Sequence, residues 1–448
     1  MDKLLINGGR RLEGEVRISG AKNAVLPIMA AALLTSGTCV IKNVPRLDDV
    51  SVMLSVLQEL SVRSSWHKDV LRLDCAHVSP VAPSPEILGQ IRASNLILGP
   101  LLGRFKEAEI GACGGCSIGC RPMNLHFAAL EALGSKILPL ETGYFAFAKS
   151  LQGNVVHLAF PSVGATENLI MAAVLAEGRT VLHNAAAEPE IVDLAGFINA
   201  MGGKISGAGS NVITIDGVKK LNGAEYTVMP DRIETGTFLV AGAMCGGSLR
   251  LSGARAEHNI ALLAAMQQAG ISCTYSMPNV NERFEEESFI TVHGGGRPRP
   301  LQVVTASYPG FPTDMQPQLT AMLSLAQGRS SICESIFENR LAFAKELKKM
   351  GATIQTQDNC AIIDGVAKLN GAVVKAMDLR AGAALALAGL AAQGRTVIEQ
   401  AAYIDRGYED FVGKLSSLGA DITRLSKQSE QGKQIKKVTT ANNCRLVV

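Results

Sequence analysis

The sequence predicts an α/β fold built from six similar units that group into two domains. Similar segments recur about every 70 residues along the chain, which is the signature of an internal repeat. The units open on AKNAVLPIMAAALL, RASNLILGPLLG, GATENLIMAAVLAEG, ETGTFLVAGAMCGG, TDMQPQLTAMLSLAQG and LRAGAALALAGLAAQG. The order of apolar and β-rich stretches within each unit gives the fold class.

The first element of each unit is predicted to be a buried helix. Each opening begins with a small or polar residue that can cap a helix. A stretch rich in Ala, Leu and Met follows, and it is apolar on most sides. A helix that is apolar all round is expected inside the protein rather than on its surface.

A strand, a second helix and another strand are predicted to complete each unit. The strands begin in GTCVIKNV, AEIGACG, GRTVLHNA, GSLRLSGA, GRSSICES and GRTVIEQA. The second helices mostly end at a Gly, as in ALEALGSKI and FINAMGGKI, where a helix favours a left-handed residue. Since strands alternate with helices, the chain is predicted to be α/β and not a helical solenoid.

The six units group most simply as three plus three, with the midpoint near residues 229–236. A chain of 448 residues is too long for one ordinary core, so two domains are expected.

Composition and charge restrict the possible partners. Aromatic residues make up only 4% of the chain and the net charge is +3, which does not favour a nucleic-acid surface. The N-terminal stretch MDKLLINGGRRLEG has no apolar run after its charges, and no apolar stretch approaches the length of a membrane span. We therefore expect a cytoplasmic protein without nucleic-acid or membrane partners.

The chain contains ten cysteines, and without a secretory signal they are expected to be reduced thiols. Six of them lie in apolar or strand-like contexts and are expected to be small core residues. They are Cys39, Cys75, Cys245, Cys273, Cys333 and Cys360.

Charged residues recur at two places in the units. The loops before the second helices carry Arg121, Glu190, His258, Arg340 and Arg406, and the starts of the first helices carry Lys22, Arg92, Asp231, Glu234, Asp314 and Arg380. Helix N-termini favour anions, so Lys22, Arg92, Arg121 and Arg406 indicate an anion site assembled from several units. The alternative is that each is a surface charge or part of a loop ion pair.

The glycine-rich stretch GACGGCSIGCRP, residues 111–122, holds three cysteines before an arginine. Three interpretations are open: a metal site, small residues in a tight turn, or a thiol that reacts with an anionic substrate. The cysteine spacing is not a standard zinc pattern even when His126 is included, so no metal is expected.

Eight motifs resemble the UDP-N-acetylglucosamine 1-carboxyvinyltransferases, a family of enolpyruvyl transferases. They run in order from residue 1 to about 425: GAKNAVLP, GGCSIGCRP, PSVGATEN, EPEIVDL, PDRIETGTF, FPTDMQ, IFENR and YIDRGYE. The resemblance implies two inside-out α/β barrel domains of three repeats each, with the active site between them. The domains would be residues 22–230 and residues 1–21 together with 231–425, followed by a polar tail, 426–448.

The resemblance also implies the reaction. The enolpyruvyl group of phosphoenolpyruvate passes to the 3'-hydroxyl of UDP-N-acetylglucosamine and phosphate leaves, by addition and elimination, in the first committed step of peptidoglycan synthesis. No cofactor is implied, and the family is mostly monomeric. A thiol beside basic residues has a lowered pKa, which suits Cys116 for acid and covalent chemistry on phosphoenolpyruvate, while its loop acts as a lid.

Site residues follow from the same resemblance. Cys116, Asp314 and Lys22 are the implied catalytic residues, with Asp314 as the base at the 3'-hydroxyl. The implied phosphoenolpyruvate contacts are Lys22, Arg92, Arg121 and Arg406. The implied nucleotide-sugar contacts are Asn23, Arg92, Arg121, Pro122, Met123, Asn124, Leu125, Ser162, Val163, Gly164, Asp314 and Ile336. Supporting residues are Glu190, Asp231, Glu234, Arg340, Asp378 and Arg380.

One departure from the family pattern leaves two alternatives open. Asn124 stands where the family carries Asp in the segment that holds the uracil. One alternative is a paralogue that acts on another nucleotide or nucleotide sugar, and Asn124 is its best support. A non-catalytic paralogue that binds a nucleotide sugar is the other alternative, although Lys22, Cys116 and Asp314 are all present.

Overall fold

The computed structural model describes residues 2–80, 82–111, 119, 122–276 and 288–425. The α-helices in these ranges are α1 Lys22–Ala31, α2 Asp48–Glu59, α3 Pro85–Leu88, α4 Leu98–Phe105, α5 Asn124–Glu131, α6 Val163–Ala173, α7 Pro189–Ala200, α8 Arg232–Cys245, α9 Ile260–Gln268, α10 Gln316–Leu323, α11 Ala344–Lys349, α12 Leu379–Ala391, α13 Ala402–Asp405 and α14 Phe411–Ser417. Short 3-10 helices cover Arg92–Ile97 before α4 and Thr313–Met315 before α10.

The strands in the same ranges are short. They are β1 Lys3–Asn7, β2 Gly14–Arg17, β3 Thr38–Lys42, β4 Arg63–His67, β5 Val70–Asp74, β6 Glu107–Gly111, β7 Lys136–Leu140, β8 Gly143–Phe147, β9 Val155–His157, β10 Arg179–His183, β11 Lys204–Ser206, β12 Val212–Asp216, β13 Glu225–Thr227, β14 Gly247–Ser252, β15 Ser272–Tyr275, β16 Phe289–Gly294, β17 Gln302–Val304, β18 Arg329–Cys333, β19 Thr353–Gln357, β20 Cys360–Asp364, β21 Val373–Lys375, β22 Arg395–Glu399 and β23 Asp421–Leu425.

The sheets repeat one plan, which confirms the α/β class and the six units. Five four-stranded sheets have the orders β13-β3-β5-β4, β11-β12-β10-β9, β15-β16-β14-β2, β17-β18-β20-β19 and β21-β22-β1-β23. Each of them joins one parallel pair to antiparallel neighbours, as where β9 runs parallel to β10 and β12 antiparallel to it. The sixth sheet, β6-β8-β7, has only antiparallel pairs among the described residues.

The first helices of the units are buried, as their composition predicts. Every residue of α12 from Leu379 to Leu390 is buried, and α12 packs against α8 and α10. Side-chain caps occur at only three of the six starts, where Ser162, Asp231 and Asp378 accept hydrogen bonds from backbone N–H groups. The expectation that every unit opens on a capping residue therefore holds for half of them, and burial stabilises the others.

The second helices end as predicted at residues with positive φ. Gly134, Gly202, Gly270, Gly351 and Gly419 have φ between 82° and 101°. The first unit has Ser61 at this place, with φ 67°. Serine has a Cβ, so positive φ is energetically less favourable for it than for glycine.

The buried apolar side chains form two clusters. The first core runs from Ala21 to Met229. The second core joins residues 4–18 to residues 233–422, because β1 and β2 pair with strands of the C-terminal half. This arrangement supports the predicted division into two domains, whose boundaries stay a prediction.

One expectation about the cysteines is wrong. Cys333 and Cys360 form a disulfide, although reduced thiols were expected. The two residues are partners across the antiparallel strands β18 and β20, so their side chains project from the same face of the sheet. Among the described free thiols, Cys39 and Cys75 are buried, and Cys245 and Cys273 are half-buried.

None of the helices within the described ranges combines the length and the apolar character needed to cross a membrane.

Candidate active site

A cavity of about 620 Å³ is lined by residues from both halves of the chain, the half that forms the first core and the half that forms most of the second. The side from the first core includes Lys22, Arg92 and the start of α6, and the side from the second core includes Asp314, Arg340 and Arg406. The volume falls in the range of pockets that bind small-molecule ligands.

Asp49 joins two cations on one wall of the cavity. Its Oδ2 lies 2.7 Å from Lys22 Nζ, and its Oδ1 accepts a hydrogen bond of 2.8 Å from Arg406 Nε. Burial alone would raise the pKa of Asp49, but the charges of Lys22 and Arg406 outweigh burial and lower that pKa. Asp49 therefore stays ionised and holds Lys22 and Arg406 side by side.

Asp314 lies between two buried guanidinium groups. Arg340 Nη2 donates to Oδ1 at 2.7 Å, and Arg380 Nη2 donates to Oδ2 at 3.0 Å. Burial would raise the pKa of Asp314, but Arg380 and Arg340 outweigh it and hold the pKa far below its usual range. The carboxylate is thus ionised but, as placed here, a weak base.

A cluster of acidic residues lies on another part of the wall. Glu190 receives a hydrogen bond of 2.9 Å from Arg232 Nε, and both side chains are buried. Burial and the neighbouring carboxylates Glu190 and Glu188 raise the pKa of Glu167 well above its usual value. Burial also raises the pKa of Glu188. The cluster therefore holds fewer negative charges at neutral pH than its number of carboxyl groups suggests.

Two segments of the first core complete the wall. Asn124 begins α5 and lines the cavity. Ser162 caps α6, and Val163 and Gly164 follow at its first turn. The free N–H groups and positive end of a helix suit an anion, and Arg92 lies on the same wall.

The family model described as EPSP synthase (3-phosphoshikimate 1-carboxyvinyltransferase) matches residues 6–415. The chain belongs to the EPSP synthase family. Proteins named UDP-N-acetylglucosamine 1-carboxyvinyltransferase are similar along nearly the whole chain. The protein of Trichlorobacter lovleyi is 46% identical over 429 residues, 95% of this chain and 100% of that protein. A Staphylococcus aureus protein with that name and the suffix 1 is 46% identical over 431 residues, 95% of this chain and 100% of that protein.

Solved structures of the family have the same fold. The enolpyruvyl transferase NikO from Streptomyces tendae is 25% identical, with a TM-score of 0.83 over 94% of this chain and 98% of that one. EPSP synthase from Acinetobacter baumannii is 19% identical, with a TM-score of 0.73 over 95% of this chain and 100% of that one, a likeness of fold alone.

Most of the site residues predicted from family resemblance lie together on the cavity. The predicted residues that line it are Lys22, Asn23, Arg92, Pro122, Asn124, Leu125, Ser162, Val163, Gly164, Glu190, Asp314, Ile336, Arg340, Asp378, Arg380 and Arg406. Cys116 and Arg121 lie outside the described residues.

Three of the predicted residues lie behind the lining. Met123 Sγ lies 3.6 Å from Arg92 Nη2. Asp231 accepts hydrogen bonds from the backbone N–H groups of Lys22, Ile233 and Glu234, so it fixes the starts of α1 and α8. Glu234 is buried against Lys414.

Sequence reasoning within the family pattern missed Asp49 and Arg232. Both have a signal in the sequence. Asp49 belongs to the first-unit segment KNVPRLDDV, at a place where other units carry charged residues, and Arg232 is part of PDRIETGTF. Asp49 pairs with Lys22, and Arg232 pairs with Glu190. Both pairs depend on the tertiary fold and cannot be predicted from the order of residues in the chain.

The described residues contain no group of three His, Cys, Asp or Glu side chains placed to hold a metal ion. The cysteines of residues 113–120 lie outside the described residues, so the metal interpretation of that loop is not tested by this finding.

Proposed function

We propose that the protein transfers the enolpyruvyl group of phosphoenolpyruvate to the 3'-hydroxyl of UDP-N-acetylglucosamine and releases phosphate. The observation that carries the proposal is identity of 46% over 95% of the chain to relatives named for this reaction. Such a transfer would be the first committed step of peptidoglycan synthesis.

The cavity charges support the donor. Phosphoenolpyruvate carries a carboxylate and a phosphate, and cations held rigidly around a low-dielectric site stabilise such groups. Lys22 and Arg406 are fixed by Asp49, and Arg92 lies on the same cavity wall. Arg121, which lies outside the described residues, would add a fourth cation.

The reaction needs two proton transfers. In the addition, the 3'-oxygen loses its proton to a base and bonds to C2 of phosphoenolpyruvate, while C3 gains a proton from an acid. In the elimination, C3 loses a proton and the C–O bond to phosphate breaks. Cys116 would serve as the acid that protonates C3. In the absence of the acceptor the same thiol would add across the C2=C3 bond, with its sulfur bonding to C2 and its proton going to C3, which gives a reversible covalent adduct.

Asp314 is the proposed base, and its surroundings define how it would act. Two arginines keep it ionised, so it is ready to accept a proton. The same arginines make it weakly basic, so binding of the sugar must weaken at least one of these contacts before the proton moves. Arg340 lies next to the implied sugar-contact segment at Ile336, which makes it the arginine more closely linked to the acceptor.

The test is phosphate release by the full-length protein with phosphoenolpyruvate, with and without UDP-N-acetylglucosamine. We expect release only with both substrates, and loss of release in Cys116→Ala. Cys273→Ala, at a half-buried thiol on β15, is the matched control and should keep the wild-type rate. Release that does not need the nucleotide sugar would contradict the proposal.

The alternative acceptor class is another nucleotide or nucleotide sugar, and Asn124 is the residue that suggests it. Asn124 lines the cavity and has an amide where the family resemblance implies a carboxylate, so it can both donate and accept hydrogen bonds. No release with UDP-N-acetylglucosamine but release with another nucleotide or nucleotide sugar would favour this alternative.

A further inference from the structure

His126 is a buried residue of the cavity wall to which the proposed reaction gives no role. It is the third residue of α5, is 6% exposed, and lines the cavity beside the start of α6. Whether a neutral imidazole donates or accepts a hydrogen bond at a given nitrogen depends on which ring nitrogen carries the proton.

Asn168 fixes the position of that proton. Its Oδ1 accepts a hydrogen bond of 2.7 Å from the backbone N–H of Gly99, so its other side-chain atom must be the amide nitrogen. That nitrogen lies 3.0 Å from His126 Nδ1. Since an amide nitrogen only donates, Nδ1 is the acceptor and a neutral His126 carries its proton on Nε2.

The imidazole is neutral at physiological pH. Burial, with a contribution from the positive charge of Arg92, lowers the pKa of His126 to about 4. The ring therefore has one N–H, at Nε2, and no charge.

Gly164 allows Nε2 to lie against the first turn of α6. A Cβ at residue 164 would lie 2.9 Å from His126 Cε1 and 3.3 Å from Nε2, so a side chain there would push the ring away. The first turn of a helix has backbone N–H groups without intrahelical acceptors. One of these, at Ala165, is satisfied by Ser162.

The Nε2–H group has no acceptor among the described residues. His126 lines the cavity, so an oxygen of a bound ligand can accept a hydrogen bond from this group. Around it the wall offers the positive end of α6 and the guanidinium of Arg92, and both favour a negatively charged oxygen.

We propose that His126 binds the nucleotide sugar by donating its Nε2–H to an oxygen of the diphosphate. His126 would add a directional donor without adding charge, while Arg92 supplies the charge. This inference rests on the proposed function, because it takes the acceptor to be a nucleoside diphosphate sugar.

Kinetics of two variants test the proposal. His126→Leu removes the donor and should raise the KM for UDP-N-acetylglucosamine by about 10- to 100-fold, in keeping with a lost hydrogen bond to a charged group. The kcat and the KM for phosphoenolpyruvate should stay within about 2-fold, because the diphosphate does not change during the reaction. His126→Gln keeps a donor and an acceptor and should recover part of the loss.

His77→Leu, at an exposed histidine in a turn, is the control and should leave both KM values unchanged. Unfolding in urea will show whether each variant is folded. Equal losses for both substrates, or no change in the KM for the nucleotide sugar, would overturn the proposal.

Nitrogen NMR of the wild-type protein labelled at its seven histidines is a second test that needs no folded Leu variant. The His126 signal, assigned by its absence in His126→Gln, should show a neutral ring protonated at Nε2. That N–H signal should move with UDP-N-acetylglucosamine alone and not with phosphoenolpyruvate alone. A proton on Nδ1, or no response to the nucleotide sugar, would contradict the proposal.

The two proposals can fail separately. If the NMR response is seen but no phosphate is released, the proposed reaction is wrong and the His126 contact stands. If phosphate is released normally and His126→Leu keeps the wild-type KM, only the His126 contact is wrong.

Discussion

Asp49 and Asp314 each bind two cationic side chains in the cavity wall. Asp49 contacts Lys22 and Arg406, and Asp314 contacts Arg340 and Arg380. Such buried pairs are costly to break, because the partners are left with uncompensated charge. Each carboxylate therefore determines where its cations point, and this makes both carboxylates direct targets for mutation.

Asp49→Asn should reduce kcat/KM for phosphoenolpyruvate by about 30-fold or more, the usual cost of losing one partner of a buried charge pair. Lys22 and Arg406 would repel each other and leave their present positions. The measurement is steady-state kinetics with saturating UDP-N-acetylglucosamine.

Asp216→Asn is the control for Asp49→Asn. Asp216 also binds an arginine, Arg179, but this pair is on the surface and should contribute little. Equal rates for the wild type, Asp49→Asn and Asp216→Asn would contradict the positioning role of Asp49.

The pH dependence of stability and rate tests whether Asp314 is held in its ionised form. Because its folded pKa lies below the unfolded value, its contribution to stability is complete above about pH 4 and is lost only as the pH falls further. Asp314 also stays ionised from about pH 8 down to about pH 5, so its titration should cause no fall in rate over that range.

Arg340→Gln removes one charge that favours the ionised carboxylate, so the acid side of the kcat/KM profile should move to higher pH. Arg329→Gln breaks the exposed pair with Asp364 and should leave the profile unchanged. An acid side that does not move in Arg340→Gln would show that another group controls it.

At the residue scale, family resemblance predicted Lys22, Asp314 and Arg406 as members of one site, and the structure places all three on one cavity. The contacts of these residues could not be predicted. Arg340 and Arg380 are separated by 40 positions yet contact the same carboxylate, a proximity that only tertiary structure creates. The proposed roles of Cys116 and Arg121 remain predictions.

At the element scale, helices α4 and α6 pack closely against each other because α4 has a glycine, Gly99, at the contact. A Cβ on Gly99 would lie 2.4 Å from the backbone oxygen of Asn168. Backbone atoms inside a helix cannot move away cheaply, so a larger residue must separate the two helices.

Gly99→Ala should therefore lower the free energy of unfolding by about 1–3 kcal/mol through overpacking. It should also weaken binding of the nucleotide sugar, because Gly99 and Asn168 hold His126. Urea denaturation and calorimetric titration measure the two effects.

Gly295→Ala is the matched control, because no atom lies within 4 Å of a Cβ built there. Its stability should change little, since surface substitutions of this kind have small effects. A stable Gly99→Ala protein with normal binding would contradict the packing argument.

Most elements could be predicted from local pattern, because apolar periodicity and a terminal glycine act over a few residues. The strand Arg329–Cys333 and the helix Leu379–Ala391 lie where the repeat predicts them. The disulfide could not be predicted, because Cys333 and Cys360 are 27 residues apart and meet only through the register of β18 and β20.

At the scale of the whole molecule, the cavity is shared by the two cores. Segment 160–167 lies in the half of the chain that forms the first core, and segments 312–316 and 335–340 lie in the half that forms most of the second. A ligand that fills the cavity must therefore stabilise segments from both halves of the chain.

Hydrogen exchange should show this coupling. UDP-N-acetylglucosamine should slow amide exchange in 160–167 and in 312–316 or 335–340, because bound ligand reduces local opening on both sides. The hairpin of β4 and β5, residues 63–74, lies outside the cavity lining and is the internal control. Slower exchange in only one half would contradict a shared site.

The grouping of six units into two sets of three could be predicted from the repeat length. The placement of residues 3–17 in the second core could not be derived from the repeat alone, because it depends on β1 and β2 pairing with strands more than 200 positions away. That placement supports the predicted domain boundaries and the expected site between them. The monomeric state and the cytoplasmic location stay predictions.

Product analysis tests the central claim most directly. The wild-type protein is incubated with equal amounts of phosphoenolpyruvate and UDP-N-acetylglucosamine, and the products are identified by mass spectrometry and NMR. The account predicts one phosphate for each new nucleotide sugar, with the enolpyruvyl group joined to the 3'-oxygen. Phosphate without a modified nucleotide sugar, or attachment at another hydroxyl, would contradict it.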